Sequence, residues 1–331
     1  MQYVKLGSTG VKVSRMCLGT MSFGNMADWT LEVDAARPIV NKALDLGINF
    51  FDTANIYSWG RAEQIVSELI VKEHRDDAVI ATKVRGGVGP GPNDQGLSRF
   101  HIMREVQKSL KRLGTDHIDL YQIHRWDYDT PIEETLLAMN DLVRQGKVHY
   151  IGASSMAAWQ FAKALFTSDR LGIARFVTMQ NNYNLLTREE EKEMIPLCSD
   201  QNIALIPWSP LAGGFLSGSY KKGEAPSTTR GKGSKVMQDR LANPDDTGVL
   251  EALTELSKEK GVRPAQIALS WLLHKGVTSP IFGATKVQHV EDAVAAIDVK
   301  LSSDEIQRLE QPYKERALKV PTMPGFRRRP T

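Results

Sequence analysis

The chain has 331 residues, and 42 lysines and arginines against 39 acidic residues leave a formal net charge of +3. A nucleic-acid-binding protein usually carries a dense basic face, so this balance argues against a nucleic-acid partner. Hydrophobic residues make up 41% of the chain and charged residues 24%, which excludes a wholly disordered protein because enough apolar surface exists for a core.

Cysteine usage and the N-terminal residues bear on the compartment. Cys17 and Cys198 are the two cysteines, far apart and without a C-x-x-C motif, so a reducing environment is expected rather than a disulfide framework. The first 14 residues lack the apolar stretch of a signal peptide. No apolar run approaches the roughly 20 residues of a membrane span. We therefore expect a cytoplasmic protein without a membrane partner.

Taken in chain order, residues 1–14 predict a β-hairpin, and a regular alternation of strand and amphipathic helix follows. The strand segments are RMCLG, INFFDT, AVIATK, IDLYQIH, VHYIGAS, FVTMQ, ALIPWS and SPIFGA. Their continuous apolar runs are typical of strands buried on both faces, hence of a parallel sheet. Eight such units predict an α/β fold, a single (β/α)8 TIM barrel over residues 1–331, with 314–331 as a C-terminal tail.

An open doubly wound sheet is the competing architecture. It usually has fewer strands and often opens with G-x-G-x-x-G, which this chain lacks. Two segments interrupt the rhythm, Arg85–Leu97 and about Gly213–Pro244, and both follow strands. We therefore expect two long loops on the C-terminal face of the barrel, where the active sites of such barrels lie.

Three successive predicted strands each end at an ionisable residue. Asp52, Lys83 and His124 stand at these strand ends, and burial at a barrel mouth predicts an Asp52–Lys83 ion pair. Tyr57 follows in the loop after Asp52, and a nearby ammonium is expected to lower its pKa toward the working pH. The pattern predicts Tyr57 as a general acid for a carbonyl oxygen, with His124 orienting that oxygen by a hydrogen bond.

Longer segments around these residues carry a family resemblance. They are LGTMSFG (18–24), GINFFDTANIYSWGRAE (47–63), ATK (81–83), HIDLYQIHRWD (117–127), GKVHYIGASS (146–155), MQNNYN (179–184), IPWSPLAGGFLSG (206–218) and PIFGATK (280–286). Together they resemble the aldo-keto reductase family over nearly the whole chain. The resemblance implies hydride transfer from NADPH to an aldehyde or ketone, with the family's catalytic tetrad at Asp52, Tyr57, Lys83 and His124.

The resemblance also implies a cofactor site along the strand ends. Ser154 and Gln180 would hold the nicotinamide carboxamide with Asn181 beside them, and Trp208 would stack on the ring where relatives usually have tyrosine. Ser155 stands where many relatives have asparagine. The other implied cofactor-binding residues are Gly19, Thr20, Met21, Asp52, Ser209, Pro210, Leu211, Gly213, Gly218, Arg230, Gly283, Thr285, Lys286, His289 and Asp292.

Two ends of this implied site depart from the family pattern. Ser209, Leu211, Gly213 and Gly218 belong to the loop over the pyrophosphate, where Ser219 replaces a common lysine and Arg230 would compensate. Thr285, Lys286 and His289 would face the ribose 2′-phosphate, which favours NADPH over NADH. Asp292 would reach the adenine, and Ala293 replaces a common asparagine beside it.

Aromatic residues in the loops are candidates for the substrate pocket. Trp29, Trp59 and Trp126 would line it with Met21, next to Tyr57 and His124. This set predicts an apolar or aromatic carbonyl substrate, a small molecule. The sequence leaves a monomer and a homo-oligomer equally open.

Three other functions are alternatives to a reductase. An accessory subunit like the potassium-channel β subunits keeps the cofactor site and the tetrad, so the tetrad does not exclude it. A barrel aldolase would use Lys83 as a Schiff-base nucleophile, but the dinucleotide-site segments argue against it. A metal hydrolase is disfavoured because His117 and His124 lie an odd number of residues apart on one strand and face opposite sides. No other histidine pair has ligand spacing, so we predict no metal site.

Overall fold

The computed structural model describes residues 1–316 except 227, 230 and 233. Arg230 and most of the predicted tail 314–331 therefore lie outside the described residues. The chain begins with an antiparallel hairpin of β1 (Tyr3–Lys5) and β2 (Lys12–Ser14), as predicted for residues 1–14.

Eight parallel strands form the main sheet, in the spatial order β10-β3-β4-β5-β6-β7-β8-β9. They are β3 (Cys17–Gly19), β4 (Phe50–Asp52), β5 (Val79–Val84), β6 (Ile118–Ile123), β7 (Val148–Ser154), β8 (Phe176–Gln180), β9 (Ala204–Leu205) and β10 (Ile281–Gly283). A bridge between Trp208 and Ile281 joins the two ends, where the Ile281 N–H donates to the Pro207 carbonyl at 2.9 Å. The predicted (β/α)8 barrel is confirmed.

The helices lie between successive strands, except the last two, which follow β10. They are α1 (Val33–Asp45), α2 (Arg61–Val66), α3 (Lys72–His74), α4 (Arg99–Leu113), α5 (Ile132–Arg144), α6 (Ala158–Leu171), α7 (Met194–Asp200), α8 (Lys235–Ala242), α9 (Pro244–Lys260), α10 (Pro264–His274), α11 (Val287–Ala295) and α12 (Ser303–Glu310). A π-helical turn, Ser67–Val71, makes α2 and α3 continuous. Among the described residues, no helix is long and apolar enough to cross a membrane.

Local sequence signals explain several helix limits. Gly114, Gly172 and Gly261 adopt positive φ at helix C-termini, because glycine enters the left-handed region without a side-chain clash. The amphipathic segment REEEKEMIPL does not form one continuous helix. It forms a 3₁₀ turn, Glu189–Glu191, and then α7, which begins at Met194 because Pro196 fits only a first helical turn.

The N-terminal hairpin seals one end of the barrel. Its residues Leu6 and Val13 are fully buried and pack with Phe50, Leu120 and Ile206 from the barrel interior. The other end, where the strands terminate, carries the two long loops. The loop predicted over about Gly213–Pro244 contains the helix α8, and α12 lies beyond the last predicted unit. The candidate site therefore lies at the end of the barrel away from the hairpin.

Candidate active site

Lys83 and Asp52 form a buried ion pair at the mouth of the barrel. Lys83 Nζ lies 2.5 Å from Asp52 Oδ1, and the lysine side chain is 0% exposed. Nζ also donates to the carbonyl of Thr53 at 2.9 Å and to Tyr57 Oη at 3.3 Å. The predicted pair is confirmed, because neighbouring parallel strands end at the same edge of the sheet and bring both residues together.

The charge state of Lys83 bears on the aldolase alternative. Burial alone would lower the pKa of Lys83, but Asp52 and Tyr57 outweigh burial and the net pKa shift is upward. The ammonium also has its donors committed to three oxygens. A Schiff-base nucleophile must be neutral, so this environment favours a charge-stabilising role for Lys83.

The second carboxylate oxygen of Asp52 is held from across the barrel. Gln122 Nε2 donates to Oδ2 at 3.1 Å and Gln180 Nε2 at 2.9 Å, while Gln180 also donates to Gln122 Oε1 at 3.2 Å. The buried charge of Asp52 is therefore fully hydrogen-bonded. Sequence reasoning missed Gln122, although its place two residues before His124 in β6 put it on the same face of the strand.

Tyr57 lies on a tight turn above this pair. The turn Tyr57–Gly60 is closed by the positive φ of Ser58 and Trp59, and Lys83 Nζ lies 4.9 Å from the tyrosine ring centroid. Burial raises the pKa of Tyr57 from its ordinary value; Lys83 acts to lower it and Asp52 to raise it. The predicted lowering of the Tyr57 pKa was wrong, because burial and the negative charge of Asp52 together outweigh the effect of Lys83.

His124 follows β6 and completes the group. Its ring centroid lies 6.0 Å from that of Tyr57, with the rings edge to face. Burial lowers the pKa of His124 well below its ordinary value, and the positive charges of Lys83, Arg125 and Arg85 add to this. Among the described residues, Nδ1 of His124 is buried without a hydrogen-bond partner. The tetrad thus presents a neutral imidazole beside a protonated phenol.

Predicted nicotinamide-binding residues also meet at the strand ends. Ser154 Oγ donates to the Gln180 carbonyl at 2.8 Å and lies 3.1 Å from Ser155 Oγ. Trp208 Nε1 donates to Ser155 Oγ at 3.1 Å. Ser155 itself adopts φ 50°. These contacts link β7, β8 and the segment after β9 into one polar row beside the tetrad.

The loop after β9 turns its backbone repeatedly. Ser209 and Ala212 have positive φ, as do Gly213, Gly214 and Gly218. The Gly213 N–H donates to Ser209 Oγ at 3.1 Å. The N–H groups of Ala212 and Gly214 close the turn by donating to the Ser209 and Leu211 carbonyls at 2.9 Å each, and the glycines leave the backbone of this loop uncovered by side chains. Pro210 and Leu211 lie in this same turn.

Predicted cofactor-binding residues at the end of β3 lie beside Asp52, at the end of β4. Gly19 pairs in register with Asp52 on one side and Gly283 on the other. The buried Thr20 hydroxyl donates to the Asp52 carbonyl at 3.0 Å. A Cβ on Gly19 would lie 2.7 Å from Ile281 Cγ2, so only glycine fits here without a shift. Met21 follows, half-buried.

The segment after β10 leads into α11. Thr285 and Lys286 are exposed at the helix N-terminus, and the Thr285 N–H donates to His289 Nδ1 at 3.2 Å. Asp292 is held by two side chains: Arg263 lies 3.2 Å from its Oδ2 and Gln288 donates to its Oδ1. The sequence offered no signal for Arg263, which comes from another helix start.

The predicted aromatic wall is only partly assembled. Trp126 packs 6.1 Å, ring to ring, from Trp159 of α6, which sequence reasoning missed. Trp59 is 74% exposed, and Trp29 is half-buried. Trp126 is therefore the predicted wall residue with an aromatic neighbour, while Trp59 projects largely into solvent.

Comparison with known proteins then identifies the family. The model of the Aldo/keto reductase family matches residues 15–314. The chain belongs to this family. It is similar to the versiconal hemiacetal acetate reductase of Aspergillus parasiticus, with 39% identity over 96% of this chain and 98% of that protein.

Two further relatives cover similar shares. The uncharacterized oxidoreductase YrpG of Bacillus subtilis is 41% identical over 93% of this chain and 95% of its own. A Schizosaccharomyces pombe protein provisionally named an aryl-alcohol dehydrogenase is 41% identical over 94% of this chain and 95% of its own. The protein is accordingly an oxidoreductase, from a family that uses nicotinamide cofactors and acts on small-molecule carbonyl compounds.

Proposed function

We propose that this protein reduces aldehydes and ketones to alcohols with NADPH, with Tyr57 as the general acid. The observation that carries the proposal is the 3.3 Å contact between Lys83 Nζ and Tyr57 Oη, beside the neutral ring of His124. A phenol, a fixed positive charge and an imidazole around one point can receive a carbonyl oxygen that is becoming an alkoxide.

Tyr57 would give its proton to that oxygen. Its raised pKa keeps the phenol protonated at neutral pH, as an acid requires. The Lys83 ammonium stabilises the phenolate left behind. Asp52, itself held by Gln122 and Gln180, keeps Lys83 charged and in place. The network is therefore poised before substrate arrives, which reduces reorganisation during the proton transfer.

His124 would orient the substrate. A neutral imidazole carries one N–H, and the ring lies edge to face with Tyr57. A hydrogen bond from His124 to the carbonyl oxygen would direct a lone pair toward the Tyr57 hydroxyl. Because the pKa of His124 lies well below its ordinary value, the ring keeps this role through neutral pH.

The strand ends fit a nicotinamide cofactor, which supplies a hydride to the carbonyl carbon when bound. Gln180 uses its amide nitrogen on Asp52, so its oxygen is the atom to accept from a carboxamide. Ser154 and Ser155 would assist, and the Trp208 indole would cover the ring. The glycines of the positive-φ turn 209–218 would let the pyrophosphate approach the backbone closely.

The preference for NADPH rests on the N-terminus of α11. Lys286 and Thr285 are exposed there, and backbone N–H groups at a helix start attract phosphate. Burial, followed by the charge of Lys286, lowers the pKa of His289, whose Nδ1 accepts from the Thr285 N–H and whose other ring nitrogen would contact the 2′-phosphate. Asp292 would approach the adenine together with Arg263.

An apolar or aromatic carbonyl compound is the proposed substrate class. Trp126 and Trp159 offer adjoining rings near the mouth. Two relatives carry names that refer to a hemiacetal acetate and to aryl alcohols.

We also propose a cytoplasmic location, because the buried thiols of Cys17 and Cys198 are free and fit a reducing environment. We further propose that residues 1–331 form a single domain.

Steady-state oxidation of NADPH with 4-nitrobenzaldehyde tests the activity. Saturable turnover is expected, together with quenching of tryptophan fluorescence by NADPH because Trp208 would stack on the cofactor. A folded protein that binds NADPH but shows no oxidation above background would overturn the reductase proposal. That outcome would support a cofactor-binding accessory subunit instead.

A further inference from the structure

Three potential metal ligands meet at the end of the barrel opposite the tetrad. His117 directly precedes β6, Asp119 lies in β6, and His149 lies in β7. The register pairs residue 118 with 148 and 120 with 150, so Asp119 and His149 are neighbours across the two strands. Asp119 is five residues before His124, or about 16 Å along the strand, so the cluster is separate from the reduction site.

The ligand atoms are close to the spacing that a metal ion needs. His149 Nδ1 lies 3.4 Å from Asp119 Oδ1, and His117 Nε2 lies 3.8 Å from the same oxygen. All three atoms fall within 4.8 Å of one another. Tetrahedral zinc with bonds near 2.0 Å places its ligands about 3.3 Å apart. The two contacts to Asp119 are near that separation, whereas the two imidazoles, stacked with ring centroids 4.4 Å apart, must turn toward the ion.

A neighbouring carboxylate selects the useful tautomer of His117. Nδ1 of His117 lies 2.6 Å from Asp116 Oδ1, and an ionised carboxylate can only accept a hydrogen bond. The proton of the neutral ring therefore sits on Nδ1, and Nε2 turns its lone pair toward Asp119. Such a carboxylate behind the imidazole is the usual companion of a metal-bound histidine, and it is independent of the three-residue cluster.

Asp119 offers one free oxygen. Its Oδ2 accepts from the Ile80 N–H at 2.8 Å and forms an ion pair with Arg75 at 2.9 Å, which fixes the carboxylate and leaves Oδ1 toward both histidines. The positive charges of Arg75 and Lys12 would repel a metal ion, but the carboxylates of Asp76 and Asp77 line the same cavity of about 380 Å³. With Asp116 and Asp119 included, carboxylates outnumber cations around the cluster. The open side admits water as a further ligand.

We propose that His117 Nε2, Asp119 Oδ1 and His149 Nδ1 bind a divalent transition-metal ion of the Zn²⁺ type, with water completing a tetrahedron. Two imidazoles and one carboxylate suit Zn²⁺, whereas Mg²⁺ and Ca²⁺ prefer oxygen ligands. The ion clamps the starts of β6 and β7 and stabilises the barrel. The absence of a metal site was predicted from spacing along the chain, which does not reveal two histidines joined by strand pairing.

Calorimetric titration of the full, tag-free chain with Zn²⁺ after chelator treatment tests the site. One ion per chain is expected, with Mg²⁺ in excess unable to compete. His149→Ala, at a half-exposed position, should abolish this binding, while the matched control His274→Ala, at an exposed histidine of α10, should retain it. Asp116→Asn should weaken binding by roughly 10- to 100-fold, because it removes the partner that orients His117.

Spectroscopy and folding controls make each outcome decisive. Co²⁺ in the same site should give the visible absorption of a tetrahedral complex, absent in His149→Ala. Circular dichroism verifies that each variant is folded. Unchanged Zn²⁺ stoichiometry and affinity in folded His149→Ala, or an equal loss in His274→Ala, would overturn the proposal. Failure of this test would leave carbonyl reduction untouched, since the two sites lie at opposite ends of the barrel.

Discussion

Gln180 and Asp52 are joined across the barrel by a hydrogen bond of 2.9 Å from the glutamine amide to the carboxylate. Gln180 is a proposed contact of the nicotinamide, and Asp52 holds the lysine beside the proposed acid. The bond therefore connects the cofactor end of the site with the proton-donating end. A substitution of Gln180 should therefore affect both cofactor binding and proton transfer.

Gln180→Ala should weaken NADPH binding and also lower kcat. The variant removes a donor to a buried carboxylate, so the free energy of unfolding should fall by about 1–3 kcal/mol. Fluorescence titration, steady-state kinetics and urea denaturation measure the three effects. Gln107→Ala, at an exposed position of α4, is the matched control. Loss of cofactor affinity with an unchanged kcat would show that the bond to Asp52 does not serve the acid.

Tyr57→Phe should lose about 10²- to 10⁴-fold in the reduction rate, the usual contribution of a general acid. NADPH affinity should stay near the parent value, because the hydroxyl faces Lys83 at 3.3 Å. Stopped-flow measurement of NADPH oxidation separates the chemical step from binding. Tyr3→Phe, in the hairpin at the other end of the barrel, controls for the loss of a phenol. Turnover close to the parent level would mean that the acid is assigned wrongly.

The stability of the protein should fall as the pH decreases below about 6.5. The pKa of His124 is depressed in the folded state by burial, so the unfolded chain takes up a proton there that the folded chain does not. Above the pKa of His124 in the unfolded chain, the contribution of this group to stability is fully present. Below that pKa, the free energy of unfolding declines by at most about 1.4 kcal/mol per pH unit for this one group.

Thermal unfolding between pH 5 and 7, a range of roughly two units around that value, measures the slope. His124→Asn should give a shallower dependence, whereas His274→Asn, at an exposed site, should follow the parent. Identical slopes in all three proteins would rule out His124 as a contributor.

Lys286→Ala should weaken NADPH by about tenfold or more while leaving NADH nearly unchanged. A charged hydrogen bond to a phosphate is worth about 1.5–3 kcal/mol, and only NADPH carries the 2′-phosphate. Titration of both cofactors measures the ratio, with Lys300→Ala as the control at another exposed lysine. Equal weakening of the two cofactors would remove the proposed phosphate contact.

The amino-acid sequence by itself determined the eight strand–helix units and the grouping of Asp52, Tyr57, Lys83 and His124. Both depend on local patterns: apolar periodicity defines each unit, and parallel strands necessarily end at one edge. The loop helix α8 and the terminal helix α12 were missed, because the strand–helix rhythm does not extend to either segment.

Only the tertiary structure decided how these residues influence one another. Whether the pKa of Tyr57 rises or falls depends on the balance between burial and two opposing charges. That balance is set by distances that the sequence does not give. Gln122 and Gln180 reach Asp52 because the sheet curls into a barrel. His117 and His149 meet because the register of β6 and β7 aligns residues about 30 positions apart, at 4.4 Å between ring centroids.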